Sequence, residues 1–143
     1  MEKLSVLIIN GPNLNLLGTR QPEIYGSTTF TDYLDELKDL YSNTLELEYF
    51  QSNSEGELID CIQKYSSSVS GIIINAGAYT HTSVAIHDAL ANISIPKVEV
   101  HISNIHKREV FRHHSYLSPV CDGIIIGMGL KGYRLALEFI LQK

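Results

Sequence analysis

Short runs of β-branched and apolar residues recur along this chain, separated by segments with helical periodicity. Four runs resemble strands that are buried on both faces of a parallel sheet: Ser5–Asn10, Gly71–Asn75, Lys97–His101 and Gly123–Gly127. A fifth run, Leu45–Gln51, alternates apolar with acidic residues. This alternation is typical of an edge strand with one face partly wet. The sequence therefore predicts five strands.

Four segments between and after these runs predict helices. They are Phe30–Tyr41, Leu58–Tyr65, Val84–Leu90 and about Leu130–Leu141. In the first two, apolar residues recur at i, i+3 and i+4, so we expect amphipathic helices that pack on a sheet. Ser54 and Glu57 form a capping-box pattern before the second helix, and Thr82 or Ser83 can cap the third.

Strands that alternate with helices at this spacing imply βαβ units with right-handed crossovers. We therefore expect an α/β fold, a flavodoxin-like three-layer sandwich with a five-stranded parallel sheet in the order 2-1-3-4-5. The 143 residues, 44% of them hydrophobic, predict a single domain over residues 1–143. Gly11–Ser27 is a long connection for a compact domain, which predicts a lid loop after strand 1.

Charge and cysteine content exclude several classes of function. Sixteen acidic and eleven basic residues give a net charge of -5, so a broad surface for nucleic acid or anionic lipid is not expected and any anion site must be local. Cys61 and Cys121 show no C-x-x-C spacing, as is typical of buried reduced thiols. The first apolar run is too short for a membrane span or a signal peptide, and we expect a cytoplasmic protein.

The predicted strand ends carry polar residues. Ligands of open α/β sheets bind outside the carboxyl ends of the strands, and here the ends are Asn10-Gly11-Pro12-Asn13, Asn75 and His101-Ile102-Ser103. Glu99 lies in the same row of the fourth strand as His101, about 7 Å along it. Either this carboxylate orients the imidazole, or the two side chains only cover a polar end of the sheet.

The segment His106–His114 is locally basic in an acidic chain. If it begins a helical turn, Arg108 and Arg112 lie at i and i+4 on one face and can clamp an anion such as a carboxylate. The alternative is a solvated basic face.

Two other patterns suggest cofactors, but each has a simpler interpretation. The histidines His101, His106, His113 and His114 match none of the usual zinc spacings, so no metal is expected. Gly127–Gly132 reads G-x-G-x-x-G between a strand and a helix, but no strand follows before Lys143 to supply the acidic residue of a dinucleotide site. We interpret these glycines as a tight turn with close packing of helix on sheet.

Taken together, the longer motifs resemble those of the type II 3-dehydroquinate dehydratases. The matching segments are Gly11–Arg20, Tyr25-Gly26, Asn75–Ser83, Glu99–Asn104, Arg112–Tyr116 and Gly127–Gly129. The resemblance therefore spans essentially the whole chain.

The resemblance implies a reversible anti elimination of water from 3-dehydroquinate to 3-dehydroshikimate through an enolate, with no metal and no cofactor. Tyr25 would be the base that takes the proton from the carbon next to the ketone, and His101 the acid that protonates the departing hydroxyl. Arg20 would keep the Tyr25 phenol ionised and stabilise the transition state. Asn13 would hold the water that carries the enolate charge.

The resemblance also assigns the substrate-binding positions: Asn75, His81, Asp88, Ile102, Ser103 and Arg112. Asp88 would act across a subunit boundary, so the active protein would be a trimer, with four trimers in a dodecamer. Glu99 would orient His101, and Arg108 would hold other residues of the site in place without binding the substrate itself. The reaction would serve either the shikimate pathway of aromatic amino acid and chorismate biosynthesis or the breakdown of quinate.

Two competing interpretations fit the residues less well. Dehydration through a lysine imine would need a lysine on a buried strand near its end, whereas Lys97 begins its strand. A non-catalytic flavodoxin-like module that binds a nucleotide or flavin would need a hydroxyl-rich, glycine-rich phosphate loop after the first strand. Gly11–Gly18 is instead rich in asparagine and leucine.

Overall fold

The computed structural model describes residues 2–19, 23 and 27–142. Its strands are β1 (Leu4–Asn10), β2 (Leu45–Gln51), β3 (Gly71–Asn75), β4 (Lys97–His101) and β5 (Gly123–Ile126). The α-helices described are α1 (Phe30–Leu40), α2 (Glu55–Tyr65), α3 (Val84–Ala91) and α4 (Lys131–Gln142). All neighbouring strands pair in parallel, in the order β2-β1-β3-β4-β5. The predicted α/β fold and strand order are confirmed.

Hydroxyl side chains cap the first three of these helices. Thr29, Ser54 and Ser83 accept hydrogen bonds from the backbone N–H three residues ahead, at 3.2, 3.3 and 2.9 Å. Each cap satisfies a donor that the first helical turn leaves unpaired. Of the two candidates at α3, the cap is therefore Ser83 rather than Thr82.

The core lies in two layers because successive strand residues point to opposite faces of the sheet. Val6 and Ile8 pack with α1, α4 and the fully buried Tyr133. Leu7 and Ile9 pack with α2 and α3 on the other face. This arrangement is the expected three-layer sandwich.

Strand β5 differs from the prediction. It ends at Ile126 rather than Gly127, and it is only partly buried, with Ile124 47% exposed. The reason is its place at the edge of the sheet, where β4 is its one neighbour. Gly127 leaves the strand because its φ of 83° is left-handed. In the part of the chain that the structure describes, no helix has the length and apolar character that crossing a bilayer requires.

Candidate active site

A cavity of about 100 Å³ lies at the carboxyl ends of β1, β3 and β4. Four polar residues predicted from the sequence line it: Asn13, Asn75, His81 and His101. It is also lined by Ile102, Ser103, Arg108 and Arg112. Tertiary structure thus brings eight of the predicted residues to one cavity, although the strand ends that supply them are far apart in sequence.

A charged cluster, which consists of the buried Glu99 and His101 and the half-buried Ser115 and Ser118, forms one wall through His101. The Glu99 carboxylate accepts from His101 Nε2 at 2.5 Å, from Ser115 Oγ at 2.8 Å and from Ser118 Oγ at 2.5 Å. Glu99 and His101 are 1% and 4% exposed. The two side chains therefore form a pair rather than only covering the end of the sheet, and Nδ1 is the His101 nitrogen that remains for a ligand.

The hydrogen bonds of the charged cluster keep Glu99 ionised. Burial alone would raise the pKa of its carboxyl, but the hydrogen bonds from His101 and Ser118 outweigh that effect, and the net pKa lies below 4.5. A carboxylate that stays ionised beside His101 favours an imidazole that carries a proton on Nε2.

His81 lies beside His101 in the cavity. Their rings stack with centroids 6.2 Å apart, and Nδ1 of His81 contacts the backbone carbonyl of His114 at 2.8 Å. Because a carbonyl only accepts, Nδ1 carries the proton and Nε2 remains for a ligand. Burial lowers the pKa of His81, so the neutral ring is favoured.

The two predicted arginines reach the cavity, but not from one helical turn. Their segment forms two short 3-10 turns, Ile105–Lys107 and Val110–Arg112. Arg108 Nη1 donates to Ser103 Oγ at 3.4 Å, and Arg112 Nε pairs with Glu109 at 3.2 Å. Glu109 also lies 3.8 Å from Arg108 Nε, so the three groups together leave one net positive charge beside the cavity of an acidic protein.

The loops after β1 and β3 cross at close range beneath the cavity. A Cβ on Gly11 would lie 2.3 Å from the backbone oxygen of Ala76, so only glycine fits there. Asn13 follows in a left-handed conformation with φ 70°, and its backbone N–H donates to Asn53 Oδ1 at 3.0 Å. Asparagine tolerates this conformation better than most residues, and the side chain of Asn13 lines the cavity.

An amide–phenol network, which consists of Asn10, Tyr49, Asn75 and Tyr133, reaches a second wall of the cavity through Asn75. Asn75 Nδ2 donates to the Tyr133 hydroxyl at 2.9 Å, and this hydroxyl donates to Asn10 Oδ1 at 2.7 Å. Asn10 Nδ2 donates to the Tyr49 hydroxyl at 3.3 Å. Uncharged groups thus satisfy one another under the cavity.

The glycines after β5 form a turn and allow close packing of α4 on the sheet. Gly127 and Gly129 adopt φ values of 83° and 63°. A Cβ on Gly132 would lie 3.2 Å from Val100 and 3.3 Å from Ile125, so a glycine lets α4 pack closely on the sheet. The interpretation of Gly127–Gly132 as turn and packing residues is confirmed.

One predicted residue that the structure describes lies away from the cavity. Asp88 is on α3 and is not among the described lining residues; its carboxylate is 68% exposed and contacts His87 Nδ1 at 2.9 Å. Its assignment across a subunit boundary stays a prediction. Arg20 and Tyr25, which the family resemblance makes catalytic, lie outside the described residues.

Metal or lysine-imine chemistry finds no support among the residues that the structure describes. Across residues 2–19, 23 and 27–142, no group of three or more His, Cys, Asp or Glu side chains could hold a metal ion. Lys97 lies at the other end of β4 from His101, and its Nζ donates to the Ile93 carbonyl at 2.6 Å. The cavity has no lysine among its described lining residues.

Sequence reasoning missed Ser115, Ser118 and Tyr133 as parts of the site. Ser115 falls inside one of the matching family motifs, which offered a signal. Ser118 and Tyr133 gave none, because their partners are 19 to 123 residues away in sequence.

Comparisons with known proteins agree on one family. A family model described as "Dehydroquinase class II" matches residues 4–141. The chain is 57% identical over 141 residues to "3-dehydroquinate dehydratase" of Prochlorococcus marinus (strain NATL1A), and the match covers 97% of this chain and 97% of that relative. It is 56% identical over 138 residues to "Catabolic 3-dehydroquinase 1" of Aspergillus terreus, covering 95% of this chain and 90% of that relative. The crystal structure of the type II dehydroquinase from Butyrivibrio crossotus superposes with a TM-score of 0.93 at 49% identity, covering 96% of this chain and 97% of that one.

Proposed function

This chain belongs to the class II dehydroquinase family, and from that premise we propose that it is a hydro-lyase that converts 3-dehydroquinate to 3-dehydroshikimate. Relatives more than 50% identical over nearly the whole chain bear the names 3-dehydroquinate dehydratase and 3-dehydroquinase. They do not favour the alternative of a non-catalytic nucleotide- or flavin-binding module.

The observation that carries the proposal is the buried Glu99–His101 pair in a cavity flanked by arginines. Loss of a hydroxyl needs a proton donor at the leaving oxygen, and a histidine held by an ionised carboxylate is suited to that role. Because Nε2 of His101 faces Glu99, we propose that the proton leaves from Nδ1. It joins the departing hydroxyl to make water.

The proton that the substrate loses goes to a base on the other side of the reaction. We propose Tyr25 as a phenolate for this role, and Arg20 as the cation that keeps it ionised. Removal of the proton next to the ketone gives an enolate, whose collapse breaks the carbon–oxygen bond to the hydroxyl and forms the enone. Asn13 is proposed to hold a water molecule at the enolate oxygen, where it can stabilise the developing charge.

Substrate binding is proposed to use the remaining residues of the cavity. The backbone at Ile102 and Ser103 would receive the carboxylate. Arg112, His81 and Asn75 would bind the polar ring substituents. Arg108 would position Ser103, to whose Oγ it donates at 3.4 Å. These groups can bind the ground state and the transition state alike, so they are expected to affect KM more than kcat.

We propose that the active protein is a single-domain subunit of a dodecamer built from four trimers. The exposed carboxylate of Asp88 supports this, since it is available to a neighbouring subunit. Mass photometry or light scattering would test the assembly, and Asp88→Ala should lower activity only if the carboxylate reaches another subunit's cavity.

The proposed cellular role is a step of the shikimate pathway, for aromatic amino acid and chorismate biosynthesis, or of quinate breakdown. Both roles place the protein in the cytoplasm, where the free thiols Cys61 and Cys121 can stay reduced. Growth of an aromatic auxotroph that lacks its own dehydratase, when given this chain, would identify the biosynthetic role.

Ultraviolet absorbance on addition of 3-dehydroquinate to the purified protein tests the reaction directly. We expect absorbance to grow as the conjugated enone forms, and Tyr25→Phe to slow that growth by orders of magnitude with the fold unchanged by circular dichroism. A purified protein that shows no enone formation, or that carries flavin absorbance instead, would overturn the proposal. Near-normal turnover of Tyr25→Phe would remove only this residue from the mechanism.

A further inference from the structure

Tyr133 lies beneath the cavity floor without lining the cavity itself. It extends from α4, is fully buried, and its hydroxyl bridges the carboxamides of Asn75 and Asn10. We propose that Tyr133 is a positioning residue, which fixes the Asn75 carboxamide so that its second N–H is presented to the substrate. This inference rests on the proposed function and deepens it.

The direction of each hydrogen bond in the amide–phenol network follows from a backbone group. The N–H of Gly77 can only donate, and it lies 3.2 Å from the side-chain oxygen of Asn75. The amide nitrogen of Asn75 must therefore face Tyr133, whose oxygen accepts at 2.9 Å. The phenolic hydrogen is then left for Asn10, whose oxygen is 2.7 Å away.

This direction fixes what Asn75 offers to a ligand. A carboxamide nitrogen carries two hydrogens, and Tyr133 takes one of them. The side-chain oxygen accepts from the backbone N–H of Gly77, which uses one of its two lone pairs and fixes it on the side of that N–H. Asn75 lines the cavity, so the hydrogen that remains makes it a donor there. Such a donor selects substrate oxygens.

Without the Tyr133 hydroxyl, Asn75 has another partner close by. Asn10 and Asn75 are direct neighbours in the β1–β3 register, so their side chains start about 4.8 Å apart across the sheet. Loss of the hydroxyl leaves the Asn75 nitrogen without an acceptor and the Asn10 oxygen without a donor. The two amides can then pair with each other, which shifts the Asn75 carboxamide from the position that the Tyr133 hydroxyl holds.

The phenol is suited to hold this position because it stays protonated and its ring is packed in the core. Burial raises the pKa of Tyr133 far above 10, so its hydroxyl keeps the hydrogen that Asn10 accepts. Its ring packs edge-on against Phe30, with centroids 4.8 Å apart. Phenylalanine can retain that ring contact, which separates the hydroxyl from the packing.

The test compares Tyr133→Phe with Tyr41→Phe in steady-state assays with 3-dehydroquinate. Tyr41 is the matched control, since it is also buried and also makes a hydrogen bond that involves α4, to Glu138 at 2.6 Å, but Glu138, unlike Asn75, is not among the described residues that line the cavity. We expect Tyr133→Phe to lower kcat/KM about five- to tenfold, mainly through KM, as loss of one oriented hydrogen bond does. Tyr41→Phe should stay within twofold of the wild type.

A double-mutant cycle with Asn75→Ala separates positioning from a structural role. If Tyr133 acts through Asn75, then Tyr133→Phe changes kcat/KM by less than twofold once Asn75 is alanine. The inference is overturned if the two losses multiply, or if Tyr133→Phe lowers the melting temperature but leaves KM unchanged.

Asn10→Ala provides a second route if Tyr133→Phe does not fold. It removes the acceptor of the phenolic hydrogen, so it should raise KM as Tyr133→Phe does, and again only when Asn75 is present. An unchanged KM would overturn the inference. The wild type separates the two proposals. If it forms no enone, the proposed function fails, whereas an active wild type with an unaffected Tyr133→Phe overturns only the inference about Tyr133.

Discussion

The two walls of the cavity are built from opposite kinds of chemistry. The charged cluster at the end of β4 surrounds one ionised carboxylate with three donors, from His101, Ser115 and Ser118. The amide–phenol network at the ends of β1 and β3 contains no charged group, and its members are joined by a chain of hydrogen bonds. The central residues of both are buried, namely Glu99 and His101 in one and Asn10, Asn75 and Tyr133 in the other, so neighbouring groups must supply the hydrogen bonds that water would otherwise provide.

The difference indicates a division of labour. Proton transfer needs a donor that can change its charge. In the charged cluster, His101 can do so beside the ionised carboxylate of Glu99. The amide–phenol network cannot exchange protons near neutral pH, but its bond directions are fixed, which suits it to orient a ligand. The charged cluster should therefore govern kcat and the pH dependence of stability, and the network should govern KM.

The largest expected effect is that of His101→Ala. Because it removes the proposed proton donor, we expect kcat to fall by about 10²- to 10⁴-fold with the fold intact. Stopped assays of 3-dehydroshikimate formation measure this loss, and circular dichroism serves as the control. If kcat changed less than KM, the assignment of proton chemistry to the charged cluster would be wrong.

Glu99→Gln should remove a pH-dependent part of the stability. The folded pKa of Glu99 lies below its unfolded value of about 4.5, so the carboxylate stabilises the fold fully above that pH and loses its contribution as pH falls through the folded pKa. We expect the variant to be less stable at pH 7 by about 3 kcal/mol, because a neutral amide replaces a carboxylate that accepts three hydrogen bonds, and bonds to a charged group are the stronger kind.

Urea denaturation at several pH values tests the role of Glu99. The difference in unfolding free energy between the wild type and Glu99→Gln should shrink as the pH falls below 4.5. A difference that stays constant with pH would mean that the charge of Glu99 is not what stabilises this wall.

Ser118→Ala is expected to have a smaller effect. It removes one hydrogen bond to a buried charge, which is worth about 1.5–3 kcal/mol of unfolding free energy. Ser68→Ala is the control, because that exposed hydroxyl donates to a backbone carbonyl at 3.3 Å and should change stability by no more than about 0.5 kcal/mol. Equal losses in the two variants would show that bonding to Glu99 adds nothing.

Metal chelation should have no effect on either wall. Dialysis against EDTA is expected to leave both kcat and KM unchanged, since the proposed proton transfers use only protein groups. Recovery of lost activity by an added divalent cation would restore the histidine–metal interpretation and contradict the division between the two walls.

Much of the site could be predicted from the sequence because strand ends are local features. Asn75 and His101 end β3 and β4 where the apolar runs end, and the alternation in β4 placed Glu99 in the same row as His101. The arginine segment was predicted less well. It forms two 3-10 turns rather than one helical turn, because loop conformation depends on distant contacts that sequence periodicity does not report. Arg108 and Arg112 nevertheless reach the cavity.

By itself, the sequence determined the alternation of strands and helices, the cap at Ser54, and the polar residues that end the strands. These depend on neighbours a few positions away, which propensity and periodicity describe. Only the tertiary structure decided which distant groups meet. Tyr133 lies 123 residues from Asn10 and 58 from Asn75, and only the packing of α4 on the sheet brings its hydroxyl between them.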